Sequence, residues 1–328
     1  MIALAQFGAG RIGQIHARNV AATGEARLKY IIDVNRTAAA ELAAAVGAEV
    51  SDADTALADP AVKAVIIGSS TDTHAELIEA SARAGKAIFC EKPIDLDLAR
   101  TRACLQVVDD CGVPLFVGFN RRFDPSFAGL KEALAAGRIG KIENLTITSR
   151  DPAPPPADYV ARSGGLFRDM MIHDFDMARW LLGAEPVRLF ASGSVLVDPA
   201  IGKAGDVDSA VVLLETASGA LCQIINSRRA AYGYDQRIEA FGAQGLLLAG
   251  NRDARSLQTW SGEGIVGEKP LYFFLERYAE AYRSEMAHFL ACLAGRETPK
   301  VAAHDGLRAL ELAEAANQSL KSGQPVDL

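Results

Sequence analysis

"IALAQFGAGRIGQIHARNV", residues 2–20, passes from an apolar, β-prone run (2–7) through three glycines into an amphipathic segment. Gly8, Gly10 and Gly13 form G-x-G-x-x-G directly after a strand and at the mouth of a helix. In that setting the first glycine permits the tight turn, the second lets a pyrophosphate approach the backbone, and the third lets helix and strand pack closely. Arg11 and Ile12 complete the loop, whose helix N-terminus offers unpaired N–H groups to phosphate. Asp33 stands at the end of the next β-rich run, about 20 residues on, where an acid binds the ribose hydroxyls of a dinucleotide. A carboxylate there repels a 2′-phosphate and favours NAD over NADP, although Arg36 offers a guanidinium that tolerates one. Capping of the following helix is the plainer role for Asp33.

Outward from this motif the first third alternates strands (28–33, 63–68, 86–91, 114–119) with Ala-rich helical stretches. Such alternation predicts a doubly wound parallel sheet, a Rossmann domain over 1–119. From residue 120 the pattern changes. A helix (125–136), a strand, the loop "DPAPPPADY" and then successive strands (186–197, 208–216, 220–229, 235–242) without helices between them predict an α+β domain over 120–328 with an open, mostly antiparallel sheet. Val211 to Leu214 is apolar at every position, so both faces of that sheet should be covered, one by helices and the other by a second subunit. Two helices (272–294, 304–321) close the chain, and no internal repeat interrupts it.

With 34 Lys and Arg against 41 Asp and Glu, the formal net charge of −7 argues against nucleic acid or an anionic membrane as partner. The pairs Arg121-Arg122 and Arg228-Arg229 are too small to reverse it. Cys90, Cys104, Cys111, Cys222 and Cys292 have neither disulfide nor zinc spacing and read as reduced core thiols of a cytoplasmic protein. The N-terminus lacks a basic region, and no run is long enough to span a bilayer.

"GGLFRDMMIHDFDMARWLLG", 164–183, reads as one continuous buried helix, yet it holds Asp169, His173, Asp174 and Asp176. At 3.6 residues per turn Asp169, His173 and Asp176 share an arc of about 60°. Such a set is a structural network, a metal site or a proton relay, and a hydride carrier elsewhere in the chain favours the relay: His173 takes a hydroxyl proton and Asp169 fixes its tautomer. Asp174 and Asp176 read as structural, with Arg179 or Arg122 as partners. "CEKPI" places Glu91 and Lys92 at the C-terminal end of a parallel strand, where open α/β sheets bind ligands. A cationic nicotinamide beside Lys92 would depress its pKa toward proton-transfer chemistry. In "SSTDTHAE", Ser69, Thr71 and His74 lie on the loop entering a helix. Capping is the default for His74 and contact with the nicotinamide ribose the sharper reading. His16 reads as packing, and His288 and His304 lack acidic or cofactor context.

"FGAGRIG", "CEKP", "GFNRRFDPSF" and the 164–183 stretch, in that order and spacing, resemble the glucose–fructose oxidoreductase/inositol dehydrogenase/rhizopine-catabolism (Gfo/Idh/MocA) family over nearly the whole chain, and within it the bacterial enzymes acting on myo-inositol. The resemblance implies a Rossmann domain, a second domain with an open sheet, and a homo-oligomer, commonly a tetramer. It implies oxidation of myo-inositol to 2-keto-myo-inositol with NAD, Lys92, Asp169 and His173 handling the hydroxyl proton. Arg121, Asp151 in "SRDP" and Tyr234 in "YGYD" become contacts for polyol hydroxyls. Whether Lys92 or His173 is the base stays open, since the two titrate as a pair. Scyllo-inositol or an aldose, an NAD-dependent glycosidase and a non-catalytic nucleotide sensor are the rival readings.

Overall fold

The apolar run at the N-terminus forms β1 (Ile2–Phe7), buried at every position after Ile2, as a strand covered on both faces must be. The computed structural model describes the backbone of residues 1–328 and every side chain except those of Ala157 and Ala161. The chain divides into two units, Met1–Phe123 with Ala281–Leu310, and Asp124–Glu280 with Glu311–Leu328. In the first, β1 is joined by β2 (Ala26–Ile32), β3 (Glu49–Val50), β4 (Val62–Ile67), β5 (Ala87–Glu91) and β6 (Leu115–Gly118). The order β3-β2-β1-β4-β5-β6 is parallel throughout. Helices α1 (Arg11–Thr23), α2 (Arg36–Val46), α3 (Ala53–Ala58), α4 (His74–Arg83) and α5 (Leu98–Cys111) lie between these strands in the chain. Strand order reverses between β1 and β4, the switch point at which such sheets bind ligands. The short edge strand β3 is the one strand of this sheet that the sequence pattern misses.

The sequence suggests a single cut after residue 119, but Ala281–Leu310 returns to the first unit. Met286, Phe289 and Leu290 lie in one buried cluster with Leu4, Ile31, Ile66, Phe89 and Phe116. The Phe289 ring stands 4.9 Å from that of Phe116 and 5.5 Å from that of Phe89. Aromatic contact of this kind adds to the area it buries, so the parallel sheet is left incomplete without these residues.

The second unit holds α6 (Pro125–Ala135), β7 (Ile142–Arg150), α7 (Ala157–Ser163), α8 (Gly165–Asp169), α9 (Ile172–Leu182), β8 (Pro186–Ser194), α10 (Pro199–Lys203), β9 (Ser209–Thr216), β10 (Leu221–Ser227), β11 (Asp235–Gly242) and β12 (Gly245–Ala249). A separate hairpin pairs β13 (Gln258–Ser261) with β14 (Gly264–Gly267), and α11 (Phe274–Arg277) follows. Helices α12 (Ala279–Leu293) and α13 (Ala303–Ser322) and the strand β15 (Val326–Asp327) end the chain. The sheet order is β12-β11-β7-β10-β9-β8-β15. It is mostly antiparallel, as expected, but β7 inserts between β10 and β11 and runs parallel to β10. The short α10, capped by the Asp198 side chain, also interrupts what the sequence presents as consecutive strands.

Alternation along β9 decides which face is core. Ala210, Val212 and Leu214 are buried, whereas Val211 is 37% and Leu213 50% exposed. Helices reach the inner face through polar pins: Ala191 N–H of β8 donates to Ser319 Oγ of α13, and Ser149 Oγ of β7 donates to Asp174 of α9. On this chain the run 211–214 therefore has one covered face and one open face. Among the described residues, no helix is long and apolar enough to cross a membrane.

The stretch 164–183 is not one helix. Gly164 and Gly165 take left-handed φ of 84° and 81°, α8 ends at Asp169 and α9 begins at Ile172. Between them the Leu166 carbonyl accepts from both Met170 N–H (3.0 Å) and Met171 N–H (2.9 Å). The second is an i→i+5 bond, the mark of a π-turn that inserts a residue into the helical count. Buried Met170 and Met171 occupy the turn. The arc that regular periodicity gives Asp169, His173 and Asp176 consequently does not carry across residues 170–171.

Candidate active site

In the first unit the three glycines carry different burdens. Gly8 has φ of 101°, and a Cβ there would stand 2.5 Å from the Gly68 carbonyl oxygen. At Gly13 a Cβ would stand 2.2 Å from the Gly8 carbonyl oxygen. Gly10, the N-cap of α1, has an ordinary φ of −70°, and a Cβ there would meet no described atom within 4 Å. The open position therefore lies over the N-terminus of a 13-residue helix, a setting suited to an anion. Buried Gln6 fixes this shape, its Nε2 donating to the carbonyls of Gly8 (2.9 Å) and Gly13 (2.8 Å).

Asp33 accepts from Ala9 N–H at 2.6 Å and from Asn35 N–H at 2.7 Å, which holds its carboxylate against the glycine loop. Capping belongs to Asn35, whose side chain accepts from Ala38 N–H. Arg36 Nη1 donates to the Ser51 carbonyl at 2.8 Å, so its guanidinium already has a partner away from the loop. Replacing Asp33 with alanine is expected to weaken NAD roughly tenfold or more, because hydrogen bonds to a charged group contribute about 1.5–3 kcal/mol, while NADP gains from the lost repulsion. Fluorescence titration with each nucleotide checks this, and an unchanged NAD/NADP ratio would refute it.

Ser69, Lys92 and Arg121 follow β4, β5 and β6 at the C-terminal edge of the parallel sheet. Thr71 opens a 3-10 turn, and Ser69 Oγ pairs with Thr73 Oγ1 at 2.7 Å. The His74 backbone N–H closes this turn on the Thr71 carbonyl, while the N-cap of α4 is Thr73. His74 Nδ1 lies 2.8 Å from the Pro93 carbonyl and its Nε2 3.2 Å from the Ser69 carbonyl. Burial pushes its pKa down, so the ring is neutral with one N–H to give, and the shorter contact takes it. His74 thereby braces the turn that carries Lys92, across a cis Lys92–Pro93 peptide. Glu91 is held by His16, Nε2 to Oε1 at 2.6 Å. His16 also packs edge-on against Phe89 and Tyr282, and so does more than the packing that its sequence position suggests. Arg121 is buried in the turn Asn120–Phe123, and its neighbour Arg122 holds Asp305 and the Lys300 carbonyl.

In the second unit Asp169 and Asp151 meet on one guanidinium. Arg228, 3% exposed, donates from Nη2 to Asp169 Oδ2 at 3.1 Å and from Nη1 to Asp151 Oδ2 at 3.3 Å. Tyr159 OH donates to the other Asp169 oxygen at 3.0 Å. Burial, and then the Asp169 charge, push the Tyr159 phenol well above its usual range, so it remains a donor. His173 sits in the first turn of α9 and is half-buried. Tyr234 is buried, its ring edge-on to Tyr278. Fully buried Asp174 is structural, as read from sequence, but with other partners: Ser149 Oγ at 2.6 Å and Asn226 Nδ2 at 2.9 Å pin α9 to β7 and β10. Arg179 grips Glu185.

Residues 2–119 match the oxidoreductase family described as an NAD-binding Rossmann fold, and residues 127–248 match the GFO/IDH/MocA C-terminal domain. The chain belongs to the Gfo/Idh/MocA oxidoreductase family. It is 52% identical to an inositol 2-dehydrogenase of Rhizobium meliloti, with 98% of each chain covered. It is 50% identical to a myo-inositol 2-dehydrogenase of Thermotoga maritima, over 98% of this chain and 97% of that one. A solved myo-inositol dehydrogenase of Corynebacterium glutamicum superposes with a TM-score of 0.96 at 42% identity, over 100% of this chain and 99% of that one. NAD is thus the cofactor of the first unit, and the three glycines, Gln6 and Asp33 make a cradle that fits it.

Sequence reading of this Gfo/Idh/MocA oxidoreductase misses Gln6, His16, Tyr159 and Arg228. His16 carries a faint signal, falling one helical turn after Gly13 in the helix that opens the motif. Arg228 carries none in its own neighbourhood. It reaches Asp151 because β10 pairs with β7 in a register that sets Ser227 beside Arg150.

Proposed function

We propose that this Gfo/Idh/MocA oxidoreductase oxidises the axial secondary alcohol of myo-inositol to 2-keto-myo-inositol. The observation that carries the substrate is the near full-length match to an inositol 2-dehydrogenase and to a myo-inositol 2-dehydrogenase. When bound, NAD would supply the hydride acceptor. The residues of the chain must then take the hydroxyl proton and hold the ring. His173 accepts that proton, Asp169 orients the imidazole, and Lys92 stabilises the alkoxide that develops as the hydride leaves. Arg121, Asp151 and Tyr234 hydrogen-bond the remaining hydroxyls of a neutral ring, and a substrate lacking one of these leaves a buried polar group unpaired. Ser69, Thr71, His74 and Glu91 shape the nicotinamide end of the cofactor site, and Arg11 and Ile12 the phosphate end.

The test is growth of the NADH absorbance band when NAD meets myo-inositol, scyllo-inositol, glucose or an aryl glycoside, with NADP in parallel. The reading expects the highest kcat/KM for myo-inositol with NAD. Preference for glucose, or sugar release from the glycoside without net NADH, would overturn it.

The protein works in the cytoplasm as a homo-oligomer in this reading. Five free thiols support the first part, and the open sheet face supports the second. Phe190, Val211, Leu213, Phe241, Leu246 and Leu248 are each between 37% and 64% exposed on that face, an apolar patch that calls for a cover. Leu213→Glu is expected to shift the light-scattering mass to a smaller species, since a buried unpaired carboxylate costs several kcal/mol. An unchanged mass would move the interface elsewhere.

A further inference from the structure

Arg228 is a cation that burial alone would discourage. It persists because Asp169, Asp151 and Asp206 face it. Desolvation opposes its charge, and the three carboxylates more than restore it, leaving its pKa raised. Asp206 is itself pushed up by burial, and it is spent on the N-terminus of α8, accepting from Leu166 N–H at 2.9 Å. The two Nη groups of Arg228 are divided between Asp151 and Asp169, while Tyr159 closes the far side of Asp169.

We propose that Arg228 is a positioning residue for the dehydrogenation. Its planar fork holds the carboxylate that reads the ring hydroxyls and the carboxylate that serves the proton acceptor on one rigid bracket, so that recognition and proton removal are set together. The proposal rests on the roles given above to Asp151 and Asp169. Its chemistry requires a fork: an ammonium is a point charge that engages one carboxylate at the expense of the other. Loss of the cation altogether leaves two neighbouring acids that repel, and one of them protonates more readily.

The experiment uses the full-length enzyme with NAD and compares Arg228→Lys, Arg228→Met and Tyr159→Phe with the parent chain. Readouts are kcat, KM for myo-inositol, the acid limb of kcat against pH, NAD affinity by fluorescence and Tm. Arg228→Lys is expected to lower kcat and raise KM about tenfold each, as loss of a charge-assisted bond predicts. Arg228→Met is expected to move the acid limb upward by about one unit or more. Tyr159→Phe, which keeps the fork, is expected to lower kcat alone. NAD affinity should hold within about twofold, because the affected groups belong to the second unit and the nucleotide cradle to the first. If Arg228→Met does not fold, the lysine and phenylalanine variants decide. Wild-type kcat, KM and acid limb in Arg228→Lys would overturn the proposal, as would a loss that tracks Tm and NAD affinity alone. Asp169→Asn and Asp151→Asn separate the two levels. Should both keep normal kinetics, the roles of the carboxylates fall and Arg228 falls with them. Should both be impaired while Arg228→Lys is not, the bracket alone is wrong.

Discussion

Lys92→Ala is expected to lower turnover of myo-inositol at least about 100-fold, the effect of removing a donor that stabilises charge developing in the transition state. Lys92 follows directly on β5, at the end of a parallel sheet where ligands bind. Its turn is held from two sides, by His74 at the Pro93 carbonyl and by His16 at Glu91. That support places the ammonium without depending on it, so the variant should fold normally. In the proposed reaction the Lys92 ammonium would stabilise the alkoxide developing on the substrate. Steady-state NADH production, with NAD affinity as the control for folding, provides the check. Near-normal turnover would remove Lys92 from the chemistry. Lys92→Ala combined with His173→Asn should cost far less than the product of the single losses, as groups acting in one step do.

A pair of glycine substitutions separates two kinds of damage to the nucleotide cradle. Gly13→Ala sets a Cβ 2.2 Å from the Gly8 carbonyl oxygen, and because the obstacle is backbone, no side-chain rotation relieves it. Stability should fall by about 1–3 kcal/mol or more, with NAD binding lost as the loop is forced out of shape. Gly10→Ala meets no described atom and needs no unusual φ. Its Tm should stay close to that of the parent, with a change within about 0.5 kcal/mol. Its methyl group nevertheless takes the space through which phosphate reaches the N–H groups of α1, so NAD affinity should fall about tenfold or more. Thermal melts and nucleotide titration on both variants give the answer. Normal NAD binding by Gly10→Ala would mean that the pyrophosphate lies elsewhere.

The cradle was legible in the sequence because each glycine answers to atoms near it in the chain or on the next strand. The same holds for Asp33, whose carboxylate meets Ala9 through the register of β1 and β2. The 164–183 stretch was legible only as composition. Its apolar residues announce burial, but whether the helix runs straight depends on which N–H groups the Leu166 carbonyl takes, and a regular period cannot express that. The position of β7 between β10 and β11 lies further still from local pattern, since strand order obeys long-range pairing that a period of two residues cannot express. Arg228 is a product of that pairing and was therefore invisible as a partner for Asp151.

The return of Met286, Phe289 and Leu290 to the first sheet bears on how the chain is made. A ribosome that has released only the glycine motif and its parallel strands holds a nascent domain with an unfilled flank. Burial of each of those side chains is worth about 1.5–3 kcal/mol, a large share of the margin on which a domain of this size rests. The nucleotide-binding unit is thus complete only once residues 281–310 have joined it, and a chain cut before residue 281 would leave it without its keystone.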